Sequence, residues 1–404
     1  MKLHRSLVQA VIETLQQIFV EGVYADRAVE QVLKQNTRWG ARDRRFIAET
    51  TYEMVRWWRF ISEILSLPES NSNAHYYKLF AVWQILKGVK LPDWEEFSGI
   101  DTEEILKKAE QVKLIRRYRE SIPDWLDELG SKELGETLWE KEVHELNKEA
   151  QVVLRVNTIK TTIDSLRKKL QEQNIEVDIQ NDTLILKKRQ NLQQLDEYKQ
   201  GLFEIQDASS QLIAPFLQLQ EGMTVIDACA GAGGKSLHIA AMMNNKGKII
   251  SMDVEERKLT ELKKRADRAG VSIIQTQVIN ANTLHKSKNT ADRLLLDVPC
   301  SGLGVLRRNP DAKWKLNLNF IDQIKQTQQK IIADYSEMLK PGGIMVYATC
   351  SILPSENQDQ VEQFLSSRGS QFELISDRKV LPSEGFDGFY MAAIRKKRLK
   401  PRMV

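Results

Sequence analysis

The chain has 404 residues, with 59 Lys and Arg against 55 Asp and Glu, and a sequence pI near 8.7. At roughly 100–200 residues per domain, that length accommodates two or three domains with cores of their own. An apolar fraction of 42% with 28% charged residues excludes a disordered or collagen-like chain, and a net charge of +4 is too small to prove a nucleic-acid partner.

The N-terminal stretch MKLHRSLVQAVIETLQQIFV is broken by Glu13, Gln16 and Gln17, so it lacks the apolar core and cleavage site of a secretory signal. No apolar run approaches the ~20 residues that cross a bilayer. A cytoplasmic protein with no membrane partner is expected. Three cysteines at distant positions (Cys229, Cys300 and Cys350) exclude a disulfide scaffold and fit a reducing compartment.

Composition shifts along the chain. Seven of the eight Trp precede residue 140, whereas 12 of the 20 Gly lie between 231 and 388. Leu7, Val11, Ile12, Leu15, Ile18 and Phe19 recur at three- and four-residue spacing, which predicts a helix with one buried face. A second such helix follows Gly40, with Phe46, Ile47, Thr50, Met54 and Val55 on one face and Arg42, Arg44 and Arg45 near its start. Pro68, Pro92 and Pro123 punctuate further helices, so residues 1–145 read as an all-helical domain. Trp57 and Trp58 continue the apolar face and are expected in the core or at a domain interface.

Residues 146–206 change texture. QVVLRVNTI and TLILKK are strand-like and TIDSLRKKLQEQN is an amphipathic helix, which together make a small α+β module. From 207 to 404 strand and helix alternate. MTVIDACA, GKIISMD, VSIIQTQV, DRLLLDV and GIMVYATC are buried-strand runs, and the helix 255–269 is closed by Gly270. Near-continuous apolar strands between helices predict a mostly parallel sheet covered on both faces, with ligands beyond the carboxyl ends of its strands.

The first of these strands runs into Asp227-Ala-Cys229-Ala230-Gly231-Ala232-Gly233-Gly234-Lys235-Ser236, and a helix follows. Neither a phosphate loop nor a dinucleotide fingerprint fits, because Cys229 and Ser236 occupy places where those patterns need glycine. Asp253 ends the next strand, placed to accept the hydroxyls of a ribose. On spacing alone, S-adenosylmethionine and NAD fit equally, and a ligand-free glycine-rich turn stays open.

Two later strands end in LLDVPCSG and VYATCS, which puts Cys300 and Cys350 just past equivalent strand ends, beside Asp297. A lone cysteine is ordinarily a small buried hydrophobe, the reading that suits Cys229. Two thiols and an acid suit a specific chemistry. Carbon 5 of cytosine is a poor nucleophile until a thiolate adds to C6, helped by an acid at N3. The C5 proton must then leave, which calls for a base. A metal is not expected, because no C-x-x-C or Cys/His cluster occurs. His4, His75, His144, His238 and His285 sit in no motif.

These stretches resemble a known family. DASSQ (207–211), DACAGAGGKS (227–236), DVPCSGLGVLRRNPDAKW (297–314), YATCS (347–351), ENQDQVEQFL (356–365) and DGFYMAAIRK (387–396) are similar to bacterial Sun/RsmB-type S-adenosylmethionine-dependent RNA (cytosine-5) methyltransferases. RVNTIK (155–160) resembles that family's RNA-facing module. ARDRRFIAETTYEMVRW (41–57) resembles the NusB-like domain of its ribosomal-RNA members. The resemblance implies three parts: a NusB-like domain (1–145), an α+β module (146–206) and a Rossmann-like class I methyltransferase domain (207–404). It implies S-adenosylmethionine as cofactor, held by Cys229 to Lys235, Asp253, Asn280 and Asp297. It also implies Cys350 as the nucleophile, with Cys300 assisting proton removal and product release and Asp297 at the cofactor or target base. The reverse assignment of the thiols remains an alternative.

Two departures stand out. Ala232 replaces the family's proline, and Asn280 stands where an acidic residue is expected, which predicts a looser loop and weaker cofactor binding. Arg155, Asn157, Lys160, Arg307 and Arg308, and a basic tail from Arg395 to Arg402, are candidate RNA contacts. The expectation is a monomer that methylates a cytosine of ribosomal RNA, small-subunit 16S. A transfer-RNA methyltransferase or a non-catalytic ribosome-assembly factor is the alternative.

Overall fold

In the computed structural model, which describes residues 3–180 and 182–398, the chain divides into two compact units. One unit contains residues 1–148 and 306–318; the other contains 149–305 and 319–404. Among the described residues no helix is long and apolar enough to cross a membrane.

The first unit is helical. Arg5–Phe19 buries Leu7, Val11, Ile12, Leu15 and Ile18, the face read from the spacing. Ala41–Arg56 buries Ile47, Thr50, Met54 and Val55 in the same core. Ser72 and Asp101 cap the helices Asn73–Leu86 and Thr102–Val112 by accepting backbone N–H bonds. Pro123 directly precedes the helix Asp124–Leu134, which is followed by Glu136–Leu146. Trp58 stacks on Phe19 at 3.8 Å, and Trp57 packs on the same core. Arg44 donates to the Trp39 carbonyl and Arg45 pairs with Glu49, so both are tied to their own helix neighbourhood.

The core of this unit also incorporates residues 306–318, which the sequence assigned with the αβ part. Asp311 accepts the first backbone N–H of the helix Ala25–Gln35 at 2.9 Å. Trp314 donates its indole N–H to the Val55 carbonyl at 2.7 Å, and the buried Lys313 donates to the Arg56 carbonyl at 2.8 Å. Arg56 in turn donates to the Arg307 carbonyl. Each contact satisfies a helix-end or loop carbonyl, or a helix N–H, that would otherwise be buried without a partner.

The second unit holds two sheets. The smaller contains β1 (Val153–Val156), β2 (Val177–Gln180), β3 (Thr183–Leu186) and β4 (Phe203–Ile205) in the antiparallel order β2-β3-β1-β4. The larger contains β5 (Thr224–Asp227), β6 (Lys248–Asp253), β7 (Ile274–Val278), β8 (Ala291–Asp297), β9 (Leu339–Thr349), β10 (Phe372–Val380) and β11 (Phe389–Lys396). Its order is β10-β11-β9-β8-β5-β6-β7; β7 to β9 pair in parallel across the sheet, and β10 and β11 add antiparallel. The chain turns back at β5, between β6 and β8, which is where sheets of this class open a crevice for ligands.

The smaller sheet is tied to the helix Glu256–Ala269. Glu204, buried, accepts from Arg265 and Arg268 at 2.7 and 2.5 Å. Asn157 donates to the carbonyls of Gly201 and Ala269, and Lys160 to those of Gln200 and Arg268. Arg155 donates to the Gly234 carbonyl at 2.7 Å. Of the three residues expected on the RNA face, Arg155 and Asn157 are therefore turned inward, where their donors satisfy carbonyls at helix ends and loops, and Lys160 stays exposed.

The role of the 306–318 segment is testable. Trp314→Ala should destabilise the helical unit by up to about 3 kcal/mol, the low end for removing a Trp that is only partly buried. Thermal melting of the full chain, followed by far-UV circular dichroism, checks this.

Candidate active site

The carboxyl ends of β5, β6, β8 and β9 bring the predicted residues to one edge of the larger sheet. After β5 the loop is pinned at three points. Gly231 donates its N–H to Asp253 at 2.9 Å, Gly233 donates to the Ala230 carbonyl, and the Ala232 carbonyl accepts from Arg265 at 2.9 Å. Arg265 thus restrains the position where Ala232 replaces a proline. Gly233 sits at φ +88°, and a Cβ there would come within 2.4 Å of Leu262, so only glycine starts the helix Gly234–Met242 this close to its neighbour.

Asp227 is fully buried beneath this loop. One oxygen accepts from Ser236 at 2.6 Å, and the other has no partner. Burial pushes its carboxyl up to about 7, opposed by the Ser236 hydrogen bond. Asp253 also accepts from the Glu255 N–H, which orients its carboxylate at the strand end. Asn280 caps the helix Ala281–Lys286 by accepting from Thr283 N–H at 3.0 Å. An Asp would cap equally well, so the amide changes only what the rest of that side chain offers. Glycine-lined turn, acidic β6 end and an unpartnered buried carboxylate oxygen together fit a nucleoside-bearing cofactor. Burial pushes the Cys229 thiol well up, leaving it an inert neighbour.

Lys235 and Asp297 form an ion pair at 2.6 Å, with Lys235 also lying 5.5 Å from the Phe389 ring. Burial opposes the Lys235 charge, but Asp297 outweighs it and the ammonium is held above its usual range. Beyond β8 and β9 the sulfurs of Cys300 and Cys350 stand 3.3 Å apart. The hydrogen bond to Cys350 and burial together push the Cys300 thiol well up, so Cys300 keeps its proton at neutral pH.

Beneath both thiols lies a residue that no motif had assigned a role. Glu356 is fully buried and accepts four hydrogen bonds: from Ser301 N–H at 2.8 Å, Ser301 Oγ at 2.5 Å, Ser351 Oγ at 2.6 Å and Gln328 Nε2 at 3.0 Å. Ser301 and Ser351 directly follow the two cysteines. The pattern Cys-Ser at both strand ends was the available signal, since two hydroxyl donors converge on one acceptor. Asn357 completes the floor, accepting from Thr349 and donating to the Ser351 carbonyl. Gly304 donates to the Cys350 carbonyl at 2.9 Å, and a Cβ on it would strike the Gly388 carbonyl at 2.2 Å.

The chain matches two family models: 16S rRNA methyltransferase RsmB/F over residues 214–395, and the ferredoxin-like domain of RsmF/B-like methyltransferases over residues 122–193. A probable ribosomal RNA small subunit methyltransferase B from Synechocystis is 32% identical over 309 residues, covering 71% of this chain and 69% of its own. The chain belongs to the RsmB/F family of methyltransferases. The ribosomal RNA small subunit methyltransferase B of Pasteurella multocida is 33% identical over 303 residues, 70% of this chain and 67% of its own. These matches span about two thirds of the relatives' lengths. The crystal structure of PH0851 shares the fold, with a TM-score of 0.82 at 23% identity over 98% of this chain and 100% of that one. The family's cofactor is S-adenosylmethionine.

Of the remaining predicted RNA contacts, Arg307 and Lys396 are buried, whereas Arg395 and Arg398 are exposed. Arg307 is buried, donating to the carbonyl and carboxylate of Glu145, and Arg308 is half-buried in the same segment. Lys396 is buried and donates to the Leu339 carbonyl, Lys397 donates to the Gly369 carbonyl, and Arg395 pairs with Glu373. Lys400 and Arg402 lie outside the described residues.

Two outcomes follow from this geometry. The proton that folded Asp227 holds is released by the unfolded chain between its ordinary 3.8 and about 7. The stability it contributes is therefore present in acid and lost as the pH rises through about 7. The unfolding free energy of the cofactor-free protein, followed by thermal melting, should fall over that window relative to Asp227→Asn, by about 1.4 kcal/mol per pH unit at most. Glu356→Gln should lower kcat for methyl transfer by about 10²-fold with KM nearly unchanged, because it disturbs thiol placement and leaves substrate binding intact. Steady-state kinetics on RNA separates the two parameters.

Proposed function

We propose that the protein methylates carbon 5 of a cytosine in small-subunit ribosomal RNA through a covalent adduct with Cys350, acting as a monomer in the cytoplasm. The observation that carries the reading is the pair of sulfurs 3.3 Å apart at the ends of adjacent parallel strands, beside the Lys235–Asp297 pair. The names of the relatives and of the family model support ribosomal RNA as the substrate.

The chemistry assigns each side chain a task. The Cys350 thiolate adds to C6, and the electron pair of the C5–C6 bond moves toward C5 and the N3–C4 region of the ring. Asp297, with protonated Lys235 beside it, holds the base edge where charge builds up. S-adenosylmethionine, when bound by the β5 loop, Asp253 and the Asn280 side chain, supplies the sulfonium methyl that an electron-rich C5 accepts. The C5 proton then passes to a water molecule, the C6–S bond breaks with its electrons returning to sulfur, and the C5–C6 double bond is restored. Cys300, a neutral thiol 3.3 Å from Cys350, is suited to donate a hydrogen bond to the departing Cys350 sulfur in this release. The target base must leave its stack to reach two thiols at a strand edge.

Cys300→Ala incubated with small-subunit ribosomal RNA and S-adenosylmethionine should accumulate a protein–RNA adduct that survives denaturing electrophoresis. A further Cys350→Ala change should abolish it. Undiminished turnover in Cys350→Ala, with no adduct in Cys300→Ala, rejects the assignment. Bisulfite sequencing of the treated RNA maps the methylated cytosine.

A further inference from the structure

Cys300 and Cys350 are both half-buried, and their sulfurs stand 3.3 Å apart. The backbone accounts for the approach. β8 and β9 keep parallel register as far as Asp297 and Ala348, and Val298 donates its N–H to the Ala348 carbonyl at 3.0 Å. Both strands therefore leave the sheet side by side, at the usual strand spacing of about 4.8 Å. That spacing falls within the range of about 4.4–6.8 Å over which two Cα atoms suit a disulfide. Below the thiols, Glu356 accepts from Ser301 and Ser351, which keeps the two loops from carrying the sulfurs apart. Closing the gap to a bond of about 2.05 Å takes a shift of roughly 1 Å, which side-chain rotation supplies.

Methyl transfer needs Cys350 free to add to the base, so a bond between the sulfurs removes the nucleophile. The bonds that pin the cofactor loop involve neither cysteine. Gly231 donates to Asp253, the Ala232 carbonyl accepts from Arg265, and Lys235 pairs with Asp297. Linking the sulfurs thus leaves the cofactor site standing. Cys229 offers no rival pairing, because burial holds its thiol well above the usual range and unreactive.

We propose that Cys300 and Cys350 form a reversible disulfide that switches methyl transfer off when hydrogen peroxide is present. The proposal rests on the cytosine-methylation reading above, since it regulates the same site. The Cys350 thiolate attacks one oxygen of the peroxide, the O–O bond breaks, and hydroxide leaves, giving a sulfenic acid. That hydroxide takes up the proton the Cys350 thiol had released. The Cys300 sulfur then attacks the Cys350 sulfur, the S–O bond breaks, and the Cys300 proton leaves with the hydroxyl as water. Two electrons pass from the sulfurs to the peroxide, which ends as two molecules of water. A dithiol reductant restores both thiols by exchange. Cys300 also protects its neighbour, because a sulfenic acid resolved at once does not go on to the irreversible sulfinic acid.

The test uses the full-length protein, reduced, freed of reductant, treated with hydrogen peroxide and then alkylated. Peptide mass spectrometry without reduction should recover Cys300 and Cys350 as one cross-linked pair. Methylation of small-subunit ribosomal RNA should fall by about tenfold or more and return with dithiothreitol. Equilibrium titration with S-adenosylmethionine should place the oxidised protein within about twofold of the reduced one. In Cys300→Ala, dimedone should trap Cys350 as the sulfenic acid, and longer exposure should carry it to the sulfinic acid that dithiothreitol does not reverse. Wild-type Cys350 recovered unlinked, or linked to Cys229, overturns the proposal, and this readout needs no variant to fold. A linked pair that still methylates at the reduced rate overturns it too, as does one that loses cofactor binding together with activity. Failure to link in a protein that methylates cytosine removes only this inference. A reduced protein that leaves cytosine unmethylated removes the reading on which it rests, and the switch with it.

Discussion

One buried carboxylate organises the thiol site. Glu356 gathers the residue after Cys300 and the residue after Cys350 onto the same two oxygens. The strands β8 and β9 end side by side in parallel register, but a strand end fixes only where a backbone stops. What sets the sulfurs 3.3 Å apart is the shared acceptor below them, itself held by Gln328 and by the backbone that Tyr347 and Asn357 secure. A buried carboxylate with both oxygens hydrogen-bonded favours one geometry strongly, because the alternatives leave a donor or a charge unpaired in a low-dielectric interior. Reactive groups held this way need little reorganisation when a substrate arrives.

The small sheet is positioned by similar means. Glu204 binds two arginines of one helix, and Asn157, Lys160 and Arg155 use their donors on backbone carbonyls. Each of these residues is charged or polar, and each has been spent on joining two parts of one unit. A buried pair of this type specifies an arrangement more than it adds net stability, since desolvation offsets most of the attraction. Arg155 lies on the same seam, where one nitrogen secures a carbonyl while another is buried without a hydrogen-bond partner.

Much of this was legible in the sequence. The apolar periodicity of Arg5–Phe19 and Ala41–Arg56 gave the helices, and the five buried runs gave the strands β5 to β9. Gly270 closes its helix in the left-handed conformation, as its place after Ala269 suggested. The loop after β5, Asp253, Asp297 and the two thiols meet at one sheet edge because strand ends can be read from where apolar runs stop. What escaped was of two kinds. β10 carries charged, exposed residues along most of its length, and β2 and β4 are four and three residues long, too short for a period to register. The second kind is burial of charge. Arg155, Arg307, Lys313 and Lys396 look like solvent or RNA ligands in a sequence, because nothing local says which carbonyl, far away in the chain, will need their hydrogens.

The excursion of residues 306–318 into the helical unit has a consequence for synthesis on the ribosome. A domain at the N-terminus ordinarily folds as soon as it clears the exit tunnel. Here the residues that cap Ala25–Gln35 and hydrogen-bond Val55 and Arg56 are made only after the chain has passed β8 and the first of the two thiols. The helical unit therefore waits, incomplete, through translation of the cofactor loop. Its last carbonyls find their donors only when the strand that ends in Asp297 has already emerged, so the order of assembly runs against the order of the chain.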